Sequence, residues 1–456
     1  MRFSKIFAII FAALIISAGV YKVCFAQTVL KPHFTDQSKK IVVPKGAHMF
    51  PEIHEGLIAI GVYPNILYVN TKGEYVFGMN FPFTRGNDYR TAYFSGGAMM
   101  AWRSKPGTYT VLPFIIYPNG KYREFPTGVK KAGMPYDIFS ASEFNEGYAI
   151  VQKGDMFNAT QVFIDKDGKE VFPALTSKVN SGAFGGDMTV YPLRENRRLY
   201  YNAALQKYGY ADAKGAIAIK PQFDKAQNFS EGLAAVMVKE GYTEKWGFID
   251  LSGKMVIPAT YKIKPGRFSE GLAAVRIGES ESEYEMAYID KTGKRVIENK
   301  PWDLNEFHGG YAWVGTGCNK LFVMDKNFKE VRNLTADFYG SVCMFRMKSK
   351  NGDWGIDFPN GMQAMDVNGQ GIEAGDIFAP DGTVLFKAVD NKGVRVNLYK
   401  ITEGDLMFCE VRFINEPRLK EKDIFLECFI NKKGEIVYYI EEGFEGYEGP
   451  KPVQVK

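Results

Sequence analysis

The sequence predicts an all-β protein built from tandem β-meander repeats, about ten units in an open curved array. Three observations predict this class. A short motif recurs almost unchanged, turns that contain glycine follow one another along most of the chain, and the segments between them are short and rich in β-branched and aromatic residues. Because each repeat must bury an apolar face on its neighbour, self-similarity outweighs any single-element prediction.

The motif is clearest in the middle of the chain. Residues 229–236 read FSEGLAAV, and residues 268–275 repeat the same letters. Between the two copies, residues 245–250 read KWGFID and residues 252–254 read SGK. One unit later, residues 287–294 read AYIDKTGK, so the second half of the unit recurs as well.

Two kinds of turn extend this period outward. The first has an aromatic residue or Ile followed three positions later by Gly, at Ile53/Gly56, Phe94/Gly97, Phe144/Gly147, Phe229/Gly232, Phe268/Gly271, Phe307/Gly310, Ile372/Gly375 and Ile401/Gly404, with looser copies at Phe184/Gly186 and Phe338/Gly340. The second has Asp or Asn followed three positions later by Gly. It occurs at Asn70/Gly73, Asp165/Gly168, Asp212/Gly215, Asp250/Gly253, Asp290/Gly293, Asp390/Gly393 and Asn431/Gly434, with degenerate copies at Tyr117/Gly120, Asp325/Phe328 and Phe358/Gly361. The two series alternate, which defines units of roughly 30 to 50 residues.

Each unit is predicted to be a meander of three or four strands. Residues 233–238 and 246–249 are short apolar runs bounded by turn residues, which is typical of strands. Asp250 can accept a backbone hydrogen bond and open a turn, and Gly253 can supply the positive φ that closes it. Residues 255–257 then form the return strand, so the unit is a hairpin extended by one or two strands.

These motifs resemble the bacterial WG repeat. The similarity is most specific over about residues 208–300, where KWGFID, SGK and FSEGLA stand at matching positions, and it continues in eroded form over about residues 50–440. The Trp-Gly pair itself occurs at Trp246/Gly247 and Trp354/Gly355, with Tyr208/Gly209 as a near copy. The resemblance implies a secreted or surface β-repeat protein and carries over no catalytic residue.

The N-terminus predicts export. Arg2 and Lys5 precede a mostly apolar run from Ile6 to Tyr21, and Ala26 provides a small residue for cleavage. We therefore expect residues 1–27 to be a signal peptide, residues 28–50 a leader segment, residues 51–440 the repeat array and residues 441–456 a flexible tail. A retained membrane anchor is the competing interpretation, but no later stretch is apolar enough to span a bilayer, so the mature chain is expected to be secreted or periplasmic.

The predicted units can be arranged in two ways, as an open array or as a closed ring. Ten units exceed the four to eight blades typical of β-propellers, and the units are uneven in length, which favours the open array. The alternative is one β-propeller-like ring or two smaller ones.

The composition excludes some functions and leaves the cysteines open. The chain carries 57 Lys and Arg against 52 Asp and Glu, so nothing indicates a nucleic-acid partner. Cys318, Cys343, Cys409 and Cys428 all lie in the last third of the chain. A Cys409–Cys428 disulfide is the favoured pairing, and four buried free thiols are the alternative.

No catalytic, cofactor-binding or metal-binding residue is predicted. The acids of the second turn and the glutamates of the first recur at fixed repeat positions, where a turn role outweighs a catalytic pair; they are Asp165, Asp212, Asp250, Asp290, Asp325, Glu55, Glu146, Glu231, Glu270 and Glu403. The few histidines, His33, His48, His54 and His308, form no ligand spacing, so no metal centre is expected.

The functional prediction is a non-catalytic binding or scaffolding protein. Its partner would be an envelope protein, a host protein or a glycan. The phenylalanines of the first turn are expected in the core, whereas Tyr63, Tyr109, Tyr191 and Tyr242 are the better surface candidates. The competing function is a glycan-active hydrolase, whose site would lie in segments that interrupt the repeat, at residues 188–206 or 404–423.

Overall fold

The computed structural model describes most of the chain in segments of β-structure. The described residues are 32–62, 65–80, 94–104, 111–125, 138–154, 159–179, 187–278, 284–300, 303–315, 320–334, 363–364, 377–378, 381, 384–386, 390–391, 394–401, 406–431, 433–444 and 453–454. Within them a single short 3₁₀ helix, Pro173–Leu175, accompanies the strands, and no helix is long and apolar enough to cross a membrane. The predicted signal peptide lies outside these residues.

Small sheets follow one another along the described chain, and we number them 1 to 9. Sheets 1 to 4 consist of strands His48–His54, Leu57–Val62, Asn65–Asn70 and Tyr75–Asn80 (sheet 1); Met99–Ser104, Val111–Ile116 and Lys121–Glu124 (sheet 2); Ile138–Ala141, Tyr148–Lys153, Ala159–Asp165, Glu170–Val171 and Ser177–Val179 (sheet 3); and Leu193–Arg194, Arg197–Asn202, Lys207–Ala211 and Ile217–Phe223 (sheet 4).

Sheets 5 to 9 continue the series. Their strands are Lys225–Ala226, Leu233–Glu240, Thr243–Asp250 and Met255–Tyr261 (sheet 5); Leu272–Gly278, Tyr284–Asp290 and Arg295–Lys300 (sheet 6); Asp303–Leu304, Tyr311–Gly315, Leu321–Asp325 and Glu330–Asn333 (sheet 7); Gln363–Ala364, Ile377–Phe378 and Val384–Phe386 (sheet 8); and Asp390–Asn391, Val394–Ile401, Met407–Ile414, Asp423–Ile430 and Ile436–Phe444 (sheet 9). The all-β class and the meander repeat are confirmed. The looser repeat copies near residues 338 and 358 lie outside the described residues.

Sheet 5 shows how the motif folds. Ser230 and Leu233 exchange backbone hydrogen bonds across a turn in which Glu231 and Gly232 both have positive φ, which is the geometry of a type I′ hairpin turn. At the other turn, Asp250 Oδ1 accepts the N–H groups of Ser252 and Lys254. The predicted roles of both turns are therefore confirmed.

The glycine of the Trp-Gly pair is required by a close backbone approach. A Cβ at Gly247 would lie 2.6 Å from the Ile257 carbonyl oxygen and 2.7 Å from Ala259 N. The outer strand bulges here, because Trp246 pairs with Tyr261 and Phe248 pairs with Ile257. In sheet 6 the bulge is one residue shorter, between partners Lys300 and Ile297, and the corresponding position is Ala287. The size of the bulge thus decides where glycine is needed.

The core lies between consecutive sheets. Clusters of buried side chains join sheet 1 to 2, 2 to 3, 3 to 4, 4 to 5, 5 to 6 and 6 to 7. The predicted core phenylalanines lie in these interfaces and are buried, namely Phe94, Phe144, Phe229, Phe268 and Phe307. Each sheet therefore contributes one face to each neighbour, as the repeat predicts.

Both ends of the chain join sheets that are distant in sequence. Lys39–Pro44 pairs in parallel with Ile436–Phe444 and becomes the edge strand of sheet 9. Val453–Gln454 pairs in parallel with Lys121–Glu124 of sheet 2. The predicted leader and tail therefore each contain a strand.

Sheets 1 and 9 also pack against each other, through a cluster that includes Ile41, Ile58, Leu67, Phe408 and Phe429. Of the two predicted arrangements, this contact is the one expected of a ring, since an open array would hold its first and last sheets apart.

Candidate functional site

The carboxylates of the second turn are engaged within the turn. Asp290 Oδ1 accepts the hydroxyl of Thr292 and the N–H groups of Thr292 and Lys294. The same hydrogen bonds lower the pKa of Asp290, the hydroxyl contribution being the largest. Asp165, Asp212, Asp250 and Asp325 make equivalent backbone contacts. These acids therefore form turns and do not converge as a catalytic pair.

The glutamates of the first turn link neighbouring units. Glu231 accepts the N–H of Gly271 at 2.9 Å, and Glu270 accepts the N–H of Gly310 at 3.1 Å. The same contact joins Glu55 to Gly97 and Glu195 to Gly232. Sequence reasoning assigned these glutamates to the turn but missed their inter-unit role, and it missed Glu195 because no glycine follows it.

Lysines of the following unit reinforce two of these links. Lys291 lies 3.1 Å from Glu231, and Lys326 lies 3.3 Å from Glu270. Burial alone would raise the pKa of Glu231, but the hydrogen bonds from Lys291 and the Gly271 N–H outweigh it and hold that pKa below its ordinary value. We call this series of carboxylate links between successive first turns the glutamate ladder.

A cluster of tyrosines surrounds Asp187, and one of them, Tyr208, belongs to the near copy Tyr208/Gly209 of the Trp-Gly pair. The hydroxyls of Tyr191 and Tyr208 both donate to Asp187 Oδ2, at 2.6 and 2.8 Å. The ring of Tyr208 lies between those of Tyr191 and Tyr201, with centroid distances of 6.5 and 5.1 Å and interplanar angles of 78° and 55°. All four side chains are half-buried. We call these residues the Asp187 cluster.

The environment of the cluster keeps its hydroxyls protonated. Burial raises the pKa of Tyr191 and of Tyr208 well above the usual range, and the charge of Asp187 and its hydrogen bonds raise both further. Burial and the charge of Asp187 also raise the pKa of Tyr201. The cluster can therefore bind through hydrogen bonds and ring faces, whereas proton transfer by these tyrosines at neutral pH is disfavoured.

Two buried glutamines lie on the strands of sheet 3 next to this cluster. Gln152 and Gln161 are paired across neighbouring strands and are 4% and 1% exposed. Gln161 Nε2 lies 3.5 Å from the Asp187 carbonyl oxygen. Among the described residues, Gln161 Oε1 and Gln152 Nε2 lack hydrogen-bond partners.

A second polar group lies where sheets 1 and 9 meet. Glu427 accepts the N–H of Met49, and its carboxylate lies 3.6 Å from His48 Nδ1. Glu410 is the direct cross-strand neighbour of Glu427. Burial raises the pKa of Glu427, and Glu410 adds to the shift, although Met49 and His48 act against it.

The remaining predicted residues are placed as follows. Cys409 and Cys428 are opposite each other in sheet 9, fully buried, and their sulfurs lie 3.4 Å apart as free thiols. Tyr242 is fully exposed. Tyr63, Tyr109, Cys318 and Cys343 lie outside the described residues. In the part of the chain that the structure describes, no group of histidine, cysteine or acidic side chains could hold a metal ion.

The two segments proposed to interrupt the repeat do not do so where they are described. Residues 188–206 supply strands Leu193–Arg194 and Arg197–Asn202 of sheet 4. Residues 404–423 contain strand Met407–Ile414 of sheet 9. Both predictions of an insert are wrong for the described residues, because each segment supplies strands that pair within a repeat sheet. Tyr191 and Tyr201 of the Asp187 cluster nevertheless lie within the first segment, and Asp187 and Tyr208 flank it.

Comparison with known proteins identifies the repeat and little else. No curated protein matches the sequence. Among solved structures, the chain is similar to BamB from Moraxella catarrhalis at 10% identity and a TM-score of 0.31, over 67% of this chain and 90% of that one. It is similar to a eukaryotic initiation factor at 12% identity and a TM-score of 0.38, over 91% and 92% of the two chains.

A third similar structure is the β-propeller domain of the Trilobed protease from Pyrococcus furiosus, at 11% identity and a TM-score of 0.27, over 63% of this chain and 98% of that one. The WG containing repeat family matches residues 140–157, 208–242 and 246–279, which fall on sheets 3, 4, 5 and 6. The FSEGLAAV motif and the glycine of the Trp-Gly pair lie in this region. The matched part of the chain therefore consists of WG-type repeats.

Proposed function

We propose that this protein is a non-catalytic binding or scaffolding protein that acts outside the cytoplasm. The observation that carries the proposal is the Asp187 cluster, a half-exposed group of three aromatic rings and a carboxylate. Aromatic side chains with polar ends are common where proteins bind partners, because they bury a large area and still offer hydrogen bonds. The repeat carboxylates, by contrast, are occupied by turns and by the glutamate ladder.

A binding screen tests this proposal. The chain from residue 28 onward would be immobilised and exposed to fractionated cell-envelope proteins and to a glycan panel. We expect saturable binding to at least one fraction, with weaker binding by a Tyr201→Ala variant and unchanged binding by Tyr242→Ala, a fully exposed tyrosine outside the cluster. Absence of saturable binding in every arm would contradict the proposal.

Export is the second part of the proposal and rests on the N-terminal sequence. We expect the full-length chain, expressed in a bacterium, to be recovered outside the cytoplasm with Gln27 as its first residue. Mass spectrometry of the recovered protein measures the cleavage site. A chain that keeps its first residues and stays with the cytoplasmic fraction would refute this part.

The competing function is a glycan-active hydrolase, and one observation favours it. Glu410 and Glu427 are neighbouring carboxylates outside the repeat positions, and the raised pKa of Glu427 is typical of a general acid. Against this, Glu427 already binds the Met49 N–H and faces His48. Turnover of a glycan that disappears in a Glu427→Gln variant of unchanged thermal stability would favour the hydrolase.

A further inference from the structure

The Asp187 cluster has more free hydrogen-bond acceptors than free donors. A tyrosine hydroxyl has one proton to donate, and both Tyr191 and Tyr208 donate theirs to Asp187. The other carboxylate oxygen accepts the Thr189 N–H at 2.9 Å. What these groups still offer to a ligand is therefore acceptor lone pairs, and the Tyr201 hydroxyl is the one phenol of the cluster whose proton is not used by Asp187.

The carboxylate of Asp187 is not neutralised by a direct ion pair among the described residues. Lys207, next to Tyr208 in sequence, is paired with Asp224 at 2.6 Å. The negative charge of Asp187 raises the pKa of all three tyrosines. The ring faces attract cations as well, because their quadrupoles are negative at the face.

A further acceptor lies next to the cluster. Gln161 is almost fully buried, its amide nitrogen faces the carbonyl of Asp187, and its Oε1 lacks a partner among the described residues. Gln152 stands directly opposite Gln161 in the neighbouring strand, and its Nε2 also lacks a partner among the described residues. One buried acceptor and one buried donor are therefore unused beside the cluster.

We propose that the Asp187 cluster binds an organic ammonium group, with Asp187 supplying the charge and Tyr191, Tyr201 and Tyr208 supplying acceptor oxygens and ring faces. This inference rests on the proposed binding function and names the chemistry that the site recognises. A lysine side chain on a protein partner and a small free amine share this chemistry. A neutral hydroxylated ligand fits less well, since it would leave the charge of Asp187 uncompensated.

The test measures binding of defined amines to the chain from residue 28 onward by NMR or calorimetry. The probes are Nα-acetyl-lysine methylamide, its Nε-acetylated neutral form and n-butylammonium. We expect the lysine probe to bind about tenfold or more tightly than its neutral form, and an Asp187→Asn variant to lose that preference. The exposed Asp167→Asn variant, which lies outside the cluster, serves as the control.

The two sources of ammonium give different results. Tighter binding of the lysine probe than of butylammonium supports a protein partner, and equal binding supports a small amine. Equal binding of the charged and neutral lysine probes would overturn the inference, as would an Asp187→Asn variant that folds normally and keeps its preference for charge. If no amine binds but the envelope screen shows saturable binding, this inference fails while the proposed binding function stands.

Discussion

At the scale of single residues, the glutamate ladder explains an unusual choice in the motif. Glu231 and Glu270 have φ of 55° and 52°, a conformation that favours Gly, Asn or Asp. Glu occurs there because its longer side chain reaches the N–H of the next unit, which a shorter side chain in the same turn would not reach. The local strain is thus offset by a bond between units, and the same choice recurs at Glu55 and Glu195.

Removing one of these links should weaken the packing of two units. We expect Glu231→Ala to lower the free energy of unfolding by about 1–2 kcal/mol, because a charged acceptor of the Gly271 N–H is lost. Glu244→Ala is the matched control and should cost about 0.5 kcal/mol or less, since among the described residues Glu244 forms its ion pairs with Lys225 and Lys239 of its own unit. Denaturant unfolding measures both. Equal losses would contradict the inter-unit role.

The contribution of Glu231 should depend on pH. Its pKa in the folded protein lies below the ordinary value, so the carboxylate stabilises the fold above its unfolded pKa, and this stabilisation is lost as pH falls through the folded pKa. We therefore expect the stability difference between the wild type and Glu231→Gln to be largest near neutral pH and to shrink toward pH 3. Thermal melts of both proteins across that range measure it. A difference that grows in acid would contradict the assignment.

At the scale of strands, the Trp-Gly pair is a packing requirement. We expect Gly247→Ala to cost about 2–4 kcal/mol, because its Cβ would collide with the backbone of the outer strand. Gly232→Ala should cost about 1 kcal/mol, since no atom lies within 4 Å of its Cβ and only the positive φ opposes the change. Denaturant unfolding of the two variants compares these effects, and a reversed order would rule out the close approach as the cause.

The cysteines of sheet 9 offer a test of the disulfide pairing predicted from the sequence. We expect Cys409 and Cys428 to form a disulfide by exchange with an oxidised thiol reagent, because they face each other with sulfurs in contact. The bridge should stabilise the protein by about 3 kcal/mol, as expected for a loop of this size. Intact mass and thiol titration follow the reaction, with Cys409→Ser as the control. Two thiols that persist under denaturing, oxidising conditions would argue against the pairing.

The strands and turns were largely predictable, and the reasons are local. Turn residues such as Asp250 and Gly253 act on their immediate neighbours, so the pattern alone assigns them correctly. The Asp187 cluster could not be predicted, because Asp187 meets Tyr208 only when sheet 4 forms. Of the four tyrosines singled out from sequence as surface candidates, Tyr191 belongs to that cluster. Tyr208 was noted as part of a near copy of the Trp-Gly pair, and nothing in the sequence marked Tyr201.

At the scale of the whole molecule, the contact between first and last sheets depends on pairings that repeats cannot reveal. Lys39–Pro44 precedes the first unit and carries no motif, yet it completes sheet 9. The sequence therefore predicts the individual units well. It does not predict the contact between sheets 1 and 9, because that contact depends on strands that lie almost 400 residues apart in sequence.

Substitutions in that strand should show whether the contact matters. Ile41 is 1% exposed and Val42 is 40% exposed, although they are neighbours in the same strand. We expect Ile41→Asp to cost about 3 kcal/mol or more, because an unpaired charge would be buried between sheets 1 and 9. Val42→Asp should stay within about 1 kcal/mol. Similar thermal stabilities for the two variants would show that the strand does not hold the sheets together.

Insertion of both termini into other units removes a need that linear repeat proteins have. A stacked array exposes an apolar face at each end and requires terminal repeats with a polar outer surface to stay soluble. Here Lys39–Pro44 and Val453–Gln454 lie within sheets 9 and 2, and sheet 1 covers sheet 9. Among the described sheets, sheets 1 and 9 therefore cover each other's apolar faces instead of ending a stack. A change in the number of repeats would have to be accommodated at this contact.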